Sequence, residues 1–439
     1  MQTASRRVIN GWALYDWANS VYNLVITSTI FPAYFEAIAV DNKAVSKTQV
    51  TFLGRTFENS ALYNYSIAFA LVIVAFLSPL LSAIADYKGN KRSFMRFFMT
   101  LGSLGCSGLF FFERDTLGFG ILCMILACIG FWSSWVYYNS YLPEIAAPED
   151  RDRISARGYT YGYIGSVLLQ LVCFVFVFNP GLIGGDDNTS IQYRICFLLV
   201  GIWWFSFGSI ALGRLPRSTP AGTGDLKHHI FTKGYGELKK VWRQLKDQHK
   251  LRRFLSAFFC YNMGVQTVFL VATIYGKSEL EIPTTNLIAA ILLIQLIAIP
   301  GAYTISWISS KIGNIKTLMV LVALWCVGCY IGYILPVGGV NEFYGLASLV
   351  GFMMGGIQSI SRSTYSKLMP VTKDTASYFS FYDVTEKIAT VIGMFGFGYI
   401  TELTGSQRNS VLALMVFFVI GFFLLWYTDQ EKSELHATV

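Results

Sequence analysis

Twelve stretches of about 20 mainly apolar residues recur along this chain of 439 residues, each long enough to carry an α-helix across the hydrocarbon core of a bilayer. A water-soluble core has no use for that surplus: 54 % of the residues are hydrophobic and only 14 % are charged. Lipid offers the backbone no hydrogen-bond partners, so spanning segments of this length are helices. The expectation is an all-α integral membrane protein. Six stretches, 10–36, 61–84, 94–112, 118–142, 158–178 and 193–213, precede a polar centre. Six follow it, at 253–275, 285–308, 317–336, 343–365, 377–400 and 409–428. The organisation expected is an N-terminal six-helix bundle over 1–213, a cytoplasmic linker over 214–252 and a C-terminal six-helix bundle over 253–439.

With both termini in the cytoplasm, most of the 34 Lys and Arg fall on cytoplasmic segments or their edges, as the positive-inside rule requires. The net charge of +8 is then an orientation signal. Nucleic-acid binding would want basic residues gathered on a folded soluble module, and no segment is long enough for one. The longest hydrophilic stretch, Arg214 to Arg253, carries eleven basic residues, with Pro216, Pro220, Gly222 and Gly224 at its start. A surface helix is expected there from about Gly234 to Lys250, against anionic headgroups. Arg6 and Arg7 precede a long apolar span with no cleavage pattern, so that span is expected to stay as an anchor, in a bacterial inner membrane.

All eight cysteines fall in expected spans, and Cys326-x-x-Cys329 reads there as packing. Asn188-Thr189-Ser190 fits a glycosylation sequon in an external loop, whereas Asn64-Tyr65-Ser66 lies inside a span. The four histidines, His228, His229, His249 and His436, sit in cytoplasmic segments, which leaves none within the membrane for metal, haem or general-base work. No Gly-rich phosphate loop of the ATPase type appears. An enzyme is not expected, nor a cofactor or resident metal.

Asp383, Glu386 and Lys387 stand inside the eleventh apolar stretch. A charge near the bilayer midplane costs about 2.5–3.5 kcal/mol on insertion scales, so such groups pair or line a hydrated path. Residues three and four apart share a helix face, which lets Lys387 pair with Asp383 while Glu386 stays close to both. Asp16, Asn19 and Asn23 form a polar stripe on span one, which either bonds another helix or lines a cavity. Span seven offers Asn262 and Gln266, and span ten offers Gln358 and Arg362. Arg362 is suited either to binding a substrate carboxylate or to snorkelling. Trp135 and Asn139 close span four as interface anchors or cavity lining. Gly158, Gly162 and Gly165 leave a groove on span five for a close helix.

The halves also repeat weakly. Tyr15–Ser20 on span one aligns with Tyr261–Gln266 on span seven, Gly89-Asn90 with Gly313-Asn314, and Leu142-Pro143 with Met369-Pro370, all in the same order. Duplicated helix sets build carriers that rock around a site near the midplane. A proton is one candidate coupling ion, with Glu386 the first choice of site, then Asp383 with Lys387, and Asp16. Uniport or exchange of another small solute, or a sensor or scaffold on the same fold, are the alternatives.

Ser82-Ala-Ile-Ala-Asp86-Tyr87-Lys88-Gly89-Asn90-Lys91-Arg92 resembles the loop after the second helix of the major facilitator superfamily, departing at Ser82, Tyr87 and Asn90. Gly11-Trp12-Ala13-Leu14-Tyr15-Asp16-Trp17-Ala18-Asn19-Ser20, Gly356–Ser363 and Phe381–Lys387 resemble its vacuolar-effluxer-like branch, whose fungal members are associated with amino-acid export. The resemblance covers the whole chain. It implies a twelve-helix transporter in two pseudo-equivalent bundles, acting as a monomer on a small-molecule substrate, and a gating role for Asp86, Gly89 and Arg92. It also implies an acidic residue in the span-seven patch, where this chain has Met263.

Overall fold

The computed structural model of the protein describes residues 2–39, 49–183, 190–220 and 230–437. In the first half, α1 (Arg6–Val21) passes through a π-helical stretch, Tyr22–Thr29, into α2 (Ile30–Ile38). A hairpin of β1 (Gln49–Phe52) and β2 (Arg55–Glu58) leads to α3 (Asn59–Lys88), α4 (Lys91–Gly108) and α5 (Leu117–Ser140). The one-turn α6 (Leu142–Ile145), α7 (Arg151–Phe178) and α8 (Ile191–Arg214) complete that half. The second half holds α9 (Ile230–Asp247), α10 (His249–Ser278), α11 (Thr284–Ile312), α12 (Asn314–Ile334), α13 (Val340–Leu368), α14 (Thr375–Thr404) and α15 (Gln407–Ala437).

Ten of the described helices are long and apolar enough to cross a membrane. The other two expected spans are helical as well. Span 10–36 runs from α1 through the wide π turns into α2, and span 377–400 lies within the 30-residue α14, which carries the three intramembrane charges. The sequon residues Asn188 and Thr189, and His228 and His229 of the linker, lie outside the described residues.

The chain divides into two compact units. The N-terminal unit comprises Ser5–Tyr141 and Tyr161–Asp225; the C-terminal unit comprises Met1–Ala4, Leu142–Thr160 and Leu226–Val439. The segment Leu142–Thr160 thus packs with the second half of the sequence, and α7 supplies residues to both units.

Within the N-terminal unit, small residues bring backbones together, as helices in lipid require. A Cβ placed on Gly162 of α7 would lie 2.7 Å from Asp16 Oδ1, and one on Gly165 would lie 2.6 Å from the Trp17 carbonyl, so the expected groove receives α1. α3 ends at Gly89, whose φ of +64° is the left-handed conformation that closes a helix. Gly89 N donates to Asp86 O at 3.2 Å and Asn90 N to Ala85 O at 3.1 Å. The β1–β2 hairpin was not anticipated; its two-residue turn places both Leu53 and Gly54 at positive φ, the geometry that matches strand twist.

Within the C-terminal unit, α11 and α13 approach so closely that a Cβ on Gly355 would lie 2.1 Å from the Ala298 carbonyl. α9 is the expected linker helix. It buries Val241 and Leu245, packs Trp242 at a tilt against Phe381 of α14 with ring centroids 5.5 Å apart and pairs Lys240 with Asp374 at 3.4 Å. All eight cysteines are unbridged.

Candidate substrate and ion sites

The polar patch of α1 anchors the site of the N-terminal unit. Asp16 and Asn19 are completely buried. Asp16 accepts hydrogen bonds from Ser20 Oγ at 2.7 Å, one turn along, and from Tyr138 Oη of α5 at 3.0 Å. The Tyr138 ring is aimed by stacking on Trp12 at 4.5 Å and Tyr15 at 5.5 Å, while Trp12 Nε1 donates to the Tyr138 carbonyl at 2.9 Å. Trp135 lies 5.2 Å from the same ring and keeps part of its surface open, and Asn139 beside it is buried. Neither amide atom of Asn19 finds a hydrogen-bond partner among the described residues. Leaving a buried polar group unsatisfied costs about 1–3 kcal/mol, so an orphan amide marks a place that a polar ligand or water can serve.

Asn23 opens the π-helical stretch and is partly exposed, unlike the two buried members of its stripe. The wide turns are stapled by side chains: Ser28 Oγ donates to Asn23 O at 2.9 Å, and the single proton of Thr29 Oγ1 serves either Leu24 O at 2.7 Å or Gln170 Oε1 of α7 at 2.8 Å. Such bulges recur at functional positions of helices.

In the C-terminal unit, α14 carries three charges, of which Glu386 meets α10. Lys387 pairs with Asp383, one turn away, and both are buried. Glu386 is partly exposed and accepts a 2.6 Å hydrogen bond from Gln266 Nε2 of α10. The two carboxylates therefore differ: one is matched by an ammonium, the other by a neutral amide. Asn262, one turn before Gln266, is buried with its Nδ2 unpartnered among the described residues. Met263 is buried, so an apolar side chain fills the place where the family resemblance implied an acid. Tyr261 Oη and Ser361 Oγ share a 2.7 Å hydrogen bond, and Tyr382 stacks on Phe258 at 4.3 Å, which fixes α13 and α14 against α10.

Arg362 does not snorkel. It is completely buried, with Nε donating to Ser155 Oγ at 3.0 Å, Nη2 donating to the Ser155 carbonyl at 2.8 Å, and its guanidinium 4.1 Å over the Tyr159 ring. Gln358, one turn earlier, is partly exposed. Just before Ser155, Arg151 Nη1 donates to the Ser366 carbonyl at 2.7 Å. Asp152 receives Lys367 Nζ at 2.6 Å, Asn314 Nδ2 at 2.7 Å and Ser309 Oγ at 3.3 Å.

Sequence reasoning missed Asp152, Ser155, Tyr159 and Lys367. The signal available was the charged run Glu149–Arg153, which reads as an ordinary loop until its partners some 200 residues away are known. Of the residues expected to gate, Asp86 pairs with Lys91 at 3.0 Å with both side chains buried, and Arg92 Nη1 reaches the Leu215 carbonyl at 3.4 Å. Gly89 abuts Pro220: a Cβ there would lie 2.5 Å from the proline nitrogen.

The sequence matches the family described as "Vacuole effluxer Atg22 like" over residues 4–438. The chain belongs to that family. Among its relatives, the MFS-type transporter YxiO of Bacillus subtilis (strain 168) is 28 % identical across 97 % of this chain and 95 % of that protein. Autophagy-related protein 22-1 of Phaeosphaeria nodorum is 25 % identical across 99 % of this chain and 92 % of that protein. Among solved structures, the human organic anion transporter MFSD10 superposes with a TM-score of 0.71 at 14 % identity, covering 96 % of this chain and 99 % of that one. The proton:xylose symporter XylE superposes at 0.69 with 15 % identity, over 96 % and 95 %. The fold is the major facilitator fold, as its sequence resemblance implied. This member of the Atg22-like family is a multi-pass integral membrane transporter, not an enzyme.

Proposed function

We propose that the chain is a secondary active carrier for a small polar solute, with an amino acid or similar zwitterion as first choice, working by alternating access and coupled to protons at Glu386. The observation that carries this reading is the contrast on α14: Asp383 is neutralised by Lys387, while Glu386 is partly exposed and met by the neutral Gln266. Of the two α14 carboxylates, the one whose hydrogen-bond donor is a neutral amide, with no direct ion pair among the described residues, gains most from taking up a proton. An ion can drive transport only if its binding differs between conformational states, and a hydrogen bond from an amide on another helix is a contact that movement of either helix can make or break. In the N-terminal unit the Asn19 amide and the Trp135 ring, and in the C-terminal unit the Asn262 and Gln358 amides, are groups suited to the polar and apolar parts of such a solute. The family's description as a vacuole effluxer supports the carrier reading, and the choice of an amino acid rests on the sequence resemblance to its fungal members. The carrier is proposed to act as a monomer in a bacterial inner membrane with both termini in the cytoplasm, and Asp86, Gly89 and Arg92 to take part in gating.

The test is flux in proteoliposomes. A thermal-shift screen of amino acids, peptides, sugars and nucleosides first picks a binder, since a ligand of the folded state raises its stability. Uptake of that binder is then measured with and without a pH gradient. Glu386→Gln is expected to retain exchange down the solute's own gradient and to lose acceleration by the pH gradient. Full proton-driven uptake in the Glu386→Gln protein would remove the coupling assignment, and uptake in the wild type indifferent to pH would favour uniport or exchange.

A further inference from the structure

A cavity of about 470 Å³ opens in the C-terminal unit where α11 gives way to α12, apart from the residues assigned to transport. Its walls carry three ammonium groups, Lys250, Lys316 and Lys367, against one carboxylate, Asp429, with the hydrogen-bonding side chains of Asn314 and Thr364 between them. That volume falls in the range of small-molecule sites. Of the lysines, Lys367 is shared with Asp152 at 2.6 Å. No ion pair engages Lys250 or Lys316 among the described residues. Like charges gathered around a shared space repel unless an anion joins them.

The first turn of α12, Asn314 to Lys316, forms part of the same wall, and the start of a helix adds unpaired N–H groups and a partial positive charge. A carboxylate brings one charge and two oxygens to such a place. A phosphate monoester offers three acceptor oxygens, one for each lysine, which a carboxylate cannot. We propose that this cavity binds a phosphate-bearing anion held by Lys250, Lys316 and Lys367. The anion is either a soluble phosphate or the monoester headgroup of phosphatidic acid; the chemistry of capture is the same. Lys367 divides its donors between the cavity and Asp152, so occupancy of the cavity weakens the hold on Asp152.

The test uses the purified full-length chain and two probes. The unfolding midpoint in neutral detergent is titrated with inorganic phosphate against chloride at matched ionic strength. In parallel, it is measured in nanodiscs of phosphatidylcholine with and without phosphatidic acid. The wild type is expected to be stabilised by at least one probe. Lys250→Gln and Lys316→Gln, each at a site that keeps solvent contact and tolerates the change, should weaken that probe's apparent affinity on the order of ten-fold, and the double variant should not respond. A response to inorganic phosphate assigns a soluble ligand, and one confined to phosphatidic acid assigns a lipid headgroup. Asp152→Asn frees Lys367 and should tighten binding several-fold. Absence of stabilisation by both probes, or a double variant that responds as the wild type does, overturns the site; an affinity unchanged by Asp152→Asn overturns the share of Lys367. None of these readouts depends on transport.

Discussion

The first helices of the two units, α1 and α10, carry aligned polar patches, yet the units handle charge differently. In the N-terminal unit the acid sits on the first helix itself: Asp16 is buried and accepts from the hydroxyls of Ser20 and Tyr138. In the C-terminal unit the aligned position is the neutral Asn262, and the acids stand on α14 as Asp383, paired with Lys387, and Glu386, bonded to Gln266. The two aligned positions thus differ in charge, and the C-terminal unit carries its acids on a different helix. Where an ionisable group stands can differ between the units provided each buried charge finds donors.

That comparison can be broken most forcefully at Lys387. Replacing it by methionine strands Asp383 in a buried setting, and the loss of stability should be about 3–5 kcal/mol, read as a lower unfolding midpoint in detergent. Asp383→Asn in the same protein should restore most of it. Failure of the double variant to recover would mean that Lys387 supports something other than Asp383.

In the N-terminal unit the equivalent cut is Tyr138→Phe, which removes one hydrogen bond to a charged acceptor and should cost about 1.5–3 kcal/mol. An unchanged midpoint would show that Ser20 and the remaining surroundings suffice for Asp16. Gly162→Ala tests the close approach of α7 to the same carboxylate. The added methyl would press on Asp16 Oδ1, and a loss of about 1–3 kcal/mol is expected from overpacking. The smallest effect is reserved for Glu386→Gln, where an amide replaces a partly exposed carboxylate of nearly the same shape. Stability should shift by less than about 1 kcal/mol, while pH-driven flux is lost. A large destabilisation there would recast Glu386 as a structural partner of Gln266 and merge the roles of the two α14 acids.

The spans were legible because 20 apolar residues in a row have few uses outside lipid, and the α14 charges were legible because they are costly there. The Asp383–Lys387 pair followed from helical spacing alone. Less could be read wherever a partner comes from far along the chain. Arg362 looked like a free cation near a span end, and its burial depends on Ser155 and Tyr159 on α7. Asp152 looked like one charge in a loop, and its meaning depends on Asn314 and Lys367. The orphan amides of Asn19 and Asn262 could not be foreseen either, because whether an amide finds a partner depends on the neighbouring helices.

The π-helical stretch Tyr22–Thr29 also escaped the sequence reading, since its composition is that of an ordinary apolar helix. A segment wound this loosely holds more residues per turn than an α-helix needs, so it carries slack. Shortening it by one amino acid would let the backbone rewind as an α-helix without breaking continuity, the lost residue coming out of the slack, so that Asp16 and Asn19 keep nearly the same direction relative to α2. The aim of the first polar patch is therefore buffered against a change of length, and a single-codon deletion in this stretch would leave it facing Tyr138, where the same deletion in a regular α-helix would turn it by about 100°.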